Sequence, residues 1–216
     1  MRLTAERRLL LERRTGGLSR PSKMPGWSYS LPAGKTCHVG SQLLNVETSV
    51  CHNCYAMKGH YRFPNVITAQ ELRLRAVKFS LFWVPDMIEL IGSKREKYFR
   101  WHDSGDLQSL NHLLKIVKVA QGLPDYFFWL PTLEFKFIRS FRTMVGGFPP
   151  NLTVRLSTPI VDQPPMTTEE CTSAVISSHS TTWRQGVCPA PLQDNKCRQC
   201  RDCWSQDVKH VNYEQH

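Results

Sequence analysis

Between Trp27 and Ser157 the apolar residues of this chain change period repeatedly, from every second position to every third or fourth and back. "WSYSLP" alternates like a strand, whereas over 65–83 Ala69, Leu72, Ala76, Phe79 and Trp83 follow the three-four spacing of a helix. A second helix is expected over 85–97, with Pro85 in its first turn and the charged end "SKREK". "YFRWH" then reads as a strand that "DSGD" breaks. Leu107, Leu110, Leu114 and Val117 line one face of the next helix, which "QGLPD" stops with Gly122 and Pro124. "YFFWL" is a buried-strand run, "EFKFIRSFRTMV" a helix ending at Gly146-Gly147, and "NLTVRLS" another strand.

Strands separated by whole helices cannot pair as tight hairpins, so they pair in parallel across helical crossovers. The expected class is therefore α/β: a partial (β/α) barrel, or an open parallel sheet of about five or six strands, with a cysteine-rich metal-binding tail. The units are too few for a full barrel. Residues 167–180 stay open between helix and strand, because "TEECTSAVISS" offers both a capping pattern and a β-branched run. Three parts follow. Residues 1–26 form a basic helix ("TAERRLLLERR", stopped by Gly16-Gly17) and a linker, 27–187 the α/β domain, and 188–216 the tail packed on that domain. The helix can dock, fray or grip an acidic partner.

The chain is long enough to bury a normal core without disulfides. No stretch approaches the roughly 20 apolar residues of a membrane span, so no membrane partner is expected. The N-terminus lacks the apolar core and cleavage site of a secretory signal. The expectation is a cytoplasmic protein, where clustered cysteines serve metals or catalysis rather than disulfides. A formal charge of +10 makes nucleic acid a candidate partner. Metal-bound thiolates would remove part of that excess.

Of the eight cysteines, four fall within "CPAPLQDNKCRQCRDCW". Zinc favours ligand pairs separated by a long excursion, whereas Cys197-x2-Cys200-x2-Cys203 suits three corners of an iron–sulfur cube, with Cys188 as the remote fourth ligand. The second group is Cys37 with Cys51-x2-Cys54. Three cysteines there could hold three irons of a [4Fe–4S] cluster and leave the fourth open, with a zinc hook using His38 or His52 as the alternative. How the seven cysteines divide stays open, since Cys188 could complete either group. Cys171 reads as an ordinary buried thiol.

"RWHDSGD" ends a strand, where parallel α/β folds gather ligands. His102, Asp103 and Ser104 are therefore catalytic candidates, and Thr132 and Arg155 candidates for lining a cofactor. Gly105 marks a tight turn or close approach, and Asp106 or Ser109 caps the following helix. "AGKT" is no phosphate loop, because Tyr29 stands where the first glycine is needed. Neither G-x-G-x-x-G nor G-x-S-x-G occurs.

"SLPAGKTC", "CYAMKGHYRFPNV", "RWHDSGDLQS" and "CPAP…CRQCRDCW" resemble, in that order, the phage gene product 88 family over most of residues 27–204. The resemblance implies a metal-cluster protein on a partial α/β barrel, in the host cytoplasm if phage-encoded. Its "CYA" is similar to radical S-adenosylmethionine enzymes of the spore-photoproduct-lyase kind, although thirteen residues separate Cys37 from Cys51. The expected function is a phage-type iron–sulfur protein with one or two [4Fe–4S] clusters. An open iron could catalyse S-adenosylmethionine-dependent or Lewis-acid hydrolytic chemistry on a small molecule. The alternative is a zinc- or cluster-stabilised basic module that binds nucleic acid or a host protein.

Overall fold

A computed structural model describes residues 3–167, 170–180 and 186–215. Its centre is one open sheet of six parallel strands in sequence order: β1 (Trp27–Tyr29), β2 (Tyr98–Trp101), β3 (Phe127–Thr132), β4 (Leu152–Ser157), β5 (Cys171–Ile176) and β6 (His210–Glu214). That order is the one a barrel segment has. Within the open segment 167–180, Cys171–Ile176 form a strand, so the β-branched run prevails there, while residues 168–169 of the capping pattern lie outside the described residues. β6, five residues inside the expected tail, escaped the sequence reading.

Six α-helices accompany the strands among the described residues: α1 (Ala5–Thr15), α2 (His38–Gln42), α3 (Pro64–Phe79), α4 (Trp83–Gly92), α5 (Leu110–Gln121) and α6 (Phe135–Met144). None is long and apolar enough to cross a membrane. Alternation sends one set of strand side chains to each face. Phe99, Trp101, Phe128, Leu130, Leu152 and Val154 meet Trp83, Met87, Leu113, Ile116 and Phe141 of the helices in the main core. Each such large side chain contributes roughly 1.5–3 kcal/mol by leaving water. α3 turns a different face inward from the apolar one expected. Leu72 and Phe79 are exposed, while Gln70 and Arg73 are buried, donating to Ser104 Oγ at 2.9 Å and to Ser30 Oγ at 2.5 Å.

The opposite face presents Arg100, Trp129, Thr153, Arg155, Val211 and Tyr213, as the register Arg100↔Trp129, Trp129↔Thr153 and Pro131↔Arg155 requires. Here the cysteine-rich segment lies. Cys203, Trp204 and Cys188 pack with Trp129, Val211, Tyr98 and Tyr213 into a second, smaller cluster. Both sheet edges are covered. Ser19 exchanges two backbone hydrogen bonds of 2.9 Å with Ser28 on β1. On β6, Asn212 donates to Gly186 O and accepts from Cys188 N. Val187 forms an isolated parallel bridge with Asn212 there.

The N-terminal helix docks. Thr4 caps it, Leu11 and Thr15 are fully buried, and Thr15 O accepts from the Tyr29 hydroxyl at 2.6 Å. Arg7 pairs with Glu89, and Arg14 with the buried Asp86 at 2.7 Å. Gly16 ends the helix at φ 82°, where a Cβ would sit 2.6 Å from the backbone of Arg73, so the helix rests directly on α3.

Candidate metal centre

The first group of cysteines rides on a loop that crosses the carboxyl-end rim of the sheet. Its near end is held by Ser41 Oγ, 2.5 Å from Cys37 O, and by Val39 N, which donates to the buried Glu134 carboxylate at 3.0 Å. Its far end pairs with the turn after β4, through Val50 N to Pro159 O and Val161 N to Thr48 O, both 2.9 Å. It returns to β2 where Tyr55 donates to Asp103 O at 2.5 Å. Cys37 and Cys51 face each other across Gly40, where a Cβ would lie 3.1 Å from Cys37 Cβ and 3.1 Å from Cys51 Sγ. Burial first, then Asp106, pushes the Cys37 thiol up to about 12, with Cys54 and Cys51 adding to it. Cys51 is raised to about 11 by burial, Cys54 and Asp106. These three thiols therefore form one electrostatic group.

The second group is the tail. Cys188 is fixed to β6 by its N–H to Asn212 O at 2.8 Å, and Cys197 to the start of the domain by its N–H to Lys23 O at 2.9 Å. The turn closes with Cys200 N to Cys197 O, 2.9 Å. Cys203 Sγ lies 3.1 Å from the Tyr213 hydroxyl. Burial raises Cys197, followed by Cys188 and Cys200. Cys203 is pushed up to about 12 by burial, with Cys188 adding, while Tyr213, Arg155 and Arg100 pull it back. The fold groups these cysteines in space: Cys37, Cys51 and Cys54 on the rim, and Cys188, Cys197, Cys200 and Cys203 on the sheet face opposite the helices, its inner face. Cys171 stands apart, its Sγ 3.6 Å from Gln206 O. Among the described residues, no three His, Cys, Asp or Glu side chains converge as tightly as a single metal ion requires.

Trp204 sits over the amino-terminal halves of the strands, donating from Nε1 to Phe99 O at 2.9 Å and accepting from Thr153 Oγ1 at 2.7 Å. Arg155 holds it there. Its guanidinium donates to the carbonyls of Cys203, Asp202, Ser205 and Val208 over 2.6–3.1 Å, and to Thr172 O at 3.2 Å.

The other candidates gather at the end of β2. His102 adopts φ 53°, is buried, and has no hydrogen-bond partner on either ring nitrogen. Its ring lies 5.2 Å from that of His112, and burial, then Arg100, lowers it to about 3. Asp103 accepts from Tyr61 at 3.1 Å through Oδ2, while Oδ1 is buried without a partner. Ser104 is committed, donating to Leu31 O at 2.7 Å. Gly105 turns at φ 75°, where a Cβ would strike Thr36 Oγ1 at 2.5 Å. Asp106 is not the helix cap. Ser109 caps α5, and Asp106 accepts from Leu107 N, Leu133 N and Thr132 Oγ1 over 2.6–2.9 Å. Burial holds Asp106 up to about 7 against those three donors. Thr132 spends its hydroxyl on that carboxyl. His38 rests against Phe137, and His52 contacts Leu44 O at 2.9 Å. The sequence reading missed Arg100, Tyr55, Tyr61, Glu134 and Tyr213; of these only Arg100, a lone charge inside the apolar run "YFRWH", carried a visible signal.

A family model described as Gene product 88 matches residues 2–210. The chain belongs to the Gene product 88 family. All eight cysteines of this family member lie within the matched residues. No curated protein and no solved structure matches it.

Proposed function

We propose that this Gene product 88 protein is a phage-type iron–sulfur protein with two [4Fe–4S] centres. The tail centre is closed by Cys188, Cys197, Cys200 and Cys203, and the rim centre is held by Cys37, Cys51 and Cys54 alone. The observation that supports this is the division of seven cysteines into a spatial four and a spatial three. Zinc draws its sulfurs to about 2.3 Å around one point. A cubane spreads them over separate irons, which suits the triple spacing Cys197-x2-Cys200-x2-Cys203. When bound, a cluster with three protein ligands supplies an open iron, able to act as a Lewis acid or to hold S-adenosylmethionine. Beside the Cys54 loop, which Tyr55 ties to the Asp103 carbonyl, Asp103 keeps one carboxylate oxygen unpartnered while Tyr61 donates to the other.

The test is anaerobic purification with iron, sulfide and zinc quantified per chain. The expected protein is brown, with about eight irons and eight sulfides. Cys54→Ser and Cys200→Ser are each expected to lose half, and Cys171→Ser none. A colourless protein with stoichiometric zinc overturns the proposal and brings forward the zinc-stabilised basic module that binds nucleic acid or a host protein.

A further inference from the structure

The inner face of the sheet carries two guanidinium groups that lack a carboxylate partner. Arg155 is fully buried and donates only to main-chain carbonyls. Arg100 lies over the Trp129 ring, 4.3 Å from Cζ to centroid, and donates to the Tyr55 hydroxyl at 3.2 Å. Its Nη1 reaches Met24 Sδ at 3.9 Å, and its Nε is buried without a partner. Among the described residues the ion pairs involve Arg7, Arg14, Arg20, Lys35, Arg142 and Arg198, and neither of these two. The Asp103 carboxyl acts on Arg100 from beyond ion-pair distance, and it also faces Arg73 and hydrogen-bonds Tyr61.

Arg155 is fully buried and Arg100 is half-buried with its Nε enclosed, and a cation withdrawn from water without an anion is expensive, with an effective penalty of several kcal/mol for a fully buried ion. A fold that keeps them needs an anion. The tail cysteines stand where that anion would be. Arg155 grips the carbonyls of Asp202 and Cys203. Arg100 stacks on Trp129, whose ring neighbours that of Tyr213 at 6.3 Å, and Tyr213 contacts Cys203 Sγ. With their protons on, four thiols offer no charge. With a cubane at its usual oxidised level, four thiolates make a dianion, which balances two guanidiniums.

We propose that Arg100 and Arg155 are the counter-ions of a dianionic metal–thiolate centre formed by Cys188, Cys197, Cys200 and Cys203. This rests on the metal reading above and adds to it the charge the centre must carry. Arg155 also fastens the tail, so Arg100 is the residue that isolates the electrostatic role. It acts as a positioning charge and touches no reacting atom.

The experiment compares full-length wild type, Arg100→Met and Arg100→Lys, each purified anaerobically and, separately, stripped of metal. Metal retention is read by competition with a chromophoric chelator. Thermal unfolding is read in both states, and the reduction midpoint of the visible band by potentiometric titration where iron is present. Arg100→Met is expected to weaken retention about tenfold or more, as loss of an outer-shell partner does, and to move the midpoint to more negative potential. Arg100→Lys stays near wild type. In the stripped protein the sign reverses: Arg100→Met melts higher than wild type, because an orphan cation has been removed. Arg100→Met with wild-type retention and midpoint overturns the counter-ion proposal alone. Destabilisation in both states, or failure of Arg100→Met to fold at all, makes Arg100 a structural residue and also overturns it. Wild type without stoichiometric metal on the tail overturns the metal reading itself.

Discussion

Cys203 Sγ and the Tyr213 hydroxyl lie 3.1 Å apart, joining the last cysteine of the tail to a strand that closes the sheet. A hydroxyl so placed donates to a thiolate. Tyr213→Phe is therefore expected to weaken metal retention by about 1 kcal/mol, the usual net value of one hydrogen bond, with little change in the fold. Chelator competition alongside far-UV circular dichroism checks it.

Arg155 spends its donors on five carbonyls contributed by Asp202, Cys203, Ser205, Val208 and Thr172. Arg155→Met leaves them unsatisfied in a dry interior, and a destabilisation of about 3 kcal/mol or more is expected. Limited proteolysis should then cut first between Cys188 and Lys209. Wild-type resistance there would show that the tail is held by its apolar contacts alone.

Acid should weaken the protein before base does. His102 is lowered to about 3 and His112 well below its ordinary value, both by burial first. The native state therefore binds fewer protons than the unfolded chain, and stability is lost as pH falls below about 6.5, by up to about 1.4 kcal/mol per pH unit per histidine. Asp106, raised to about 7, works in the opposite direction, contributing stability that fades as pH rises through that value. Two histidines outweigh one carboxyl. His102→Asn, which tolerates the left-handed backbone, should reduce the acid slope of the melting temperature.

Docking of α1 depends on Arg14, whose Nε lies 2.7 Å from the buried Asp86. Arg14→Ala strands that carboxylate and is expected to cost roughly 1–3 kcal/mol. Arg14→Ala combined with Asp86→Asn should recover part of the loss in a denaturant titration. Equal loss in single and double variants would place the docking energy in Leu11 and Thr15 instead.

The parallel sheet was legible because helix and strand periods alternate plainly from Trp27 to Ser157. The buried face of α3 was not, since Gln70 and Arg73 enter the interior to meet Ser104 and Ser30, and apolar periodicity is blind to polar groups satisfied by distant partners. β6 was lost for a related reason: "HVNYE" is short, half polar, and follows turns rather than a helix. The clustered cysteines stood out in the sequence, but spacing could not say which group Cys188 lies beside. Its N–H contact to Asn212, twenty-four residues on, sets it beside β6, and no local pattern encodes that.

The order of synthesis gives the inner face a particular history. β1 to β5 leave the ribosome before the segment that covers them, so Trp129, Tyr98 and the two guanidiniums face open water in every nascent chain. Domains form from the amino-terminal side as they emerge, and this one passes through a stage with an exposed aromatic and cationic trough. That stage ends only when the last turns of the tail arrive, so the final residues of the matched region carry the cover for everything made before them.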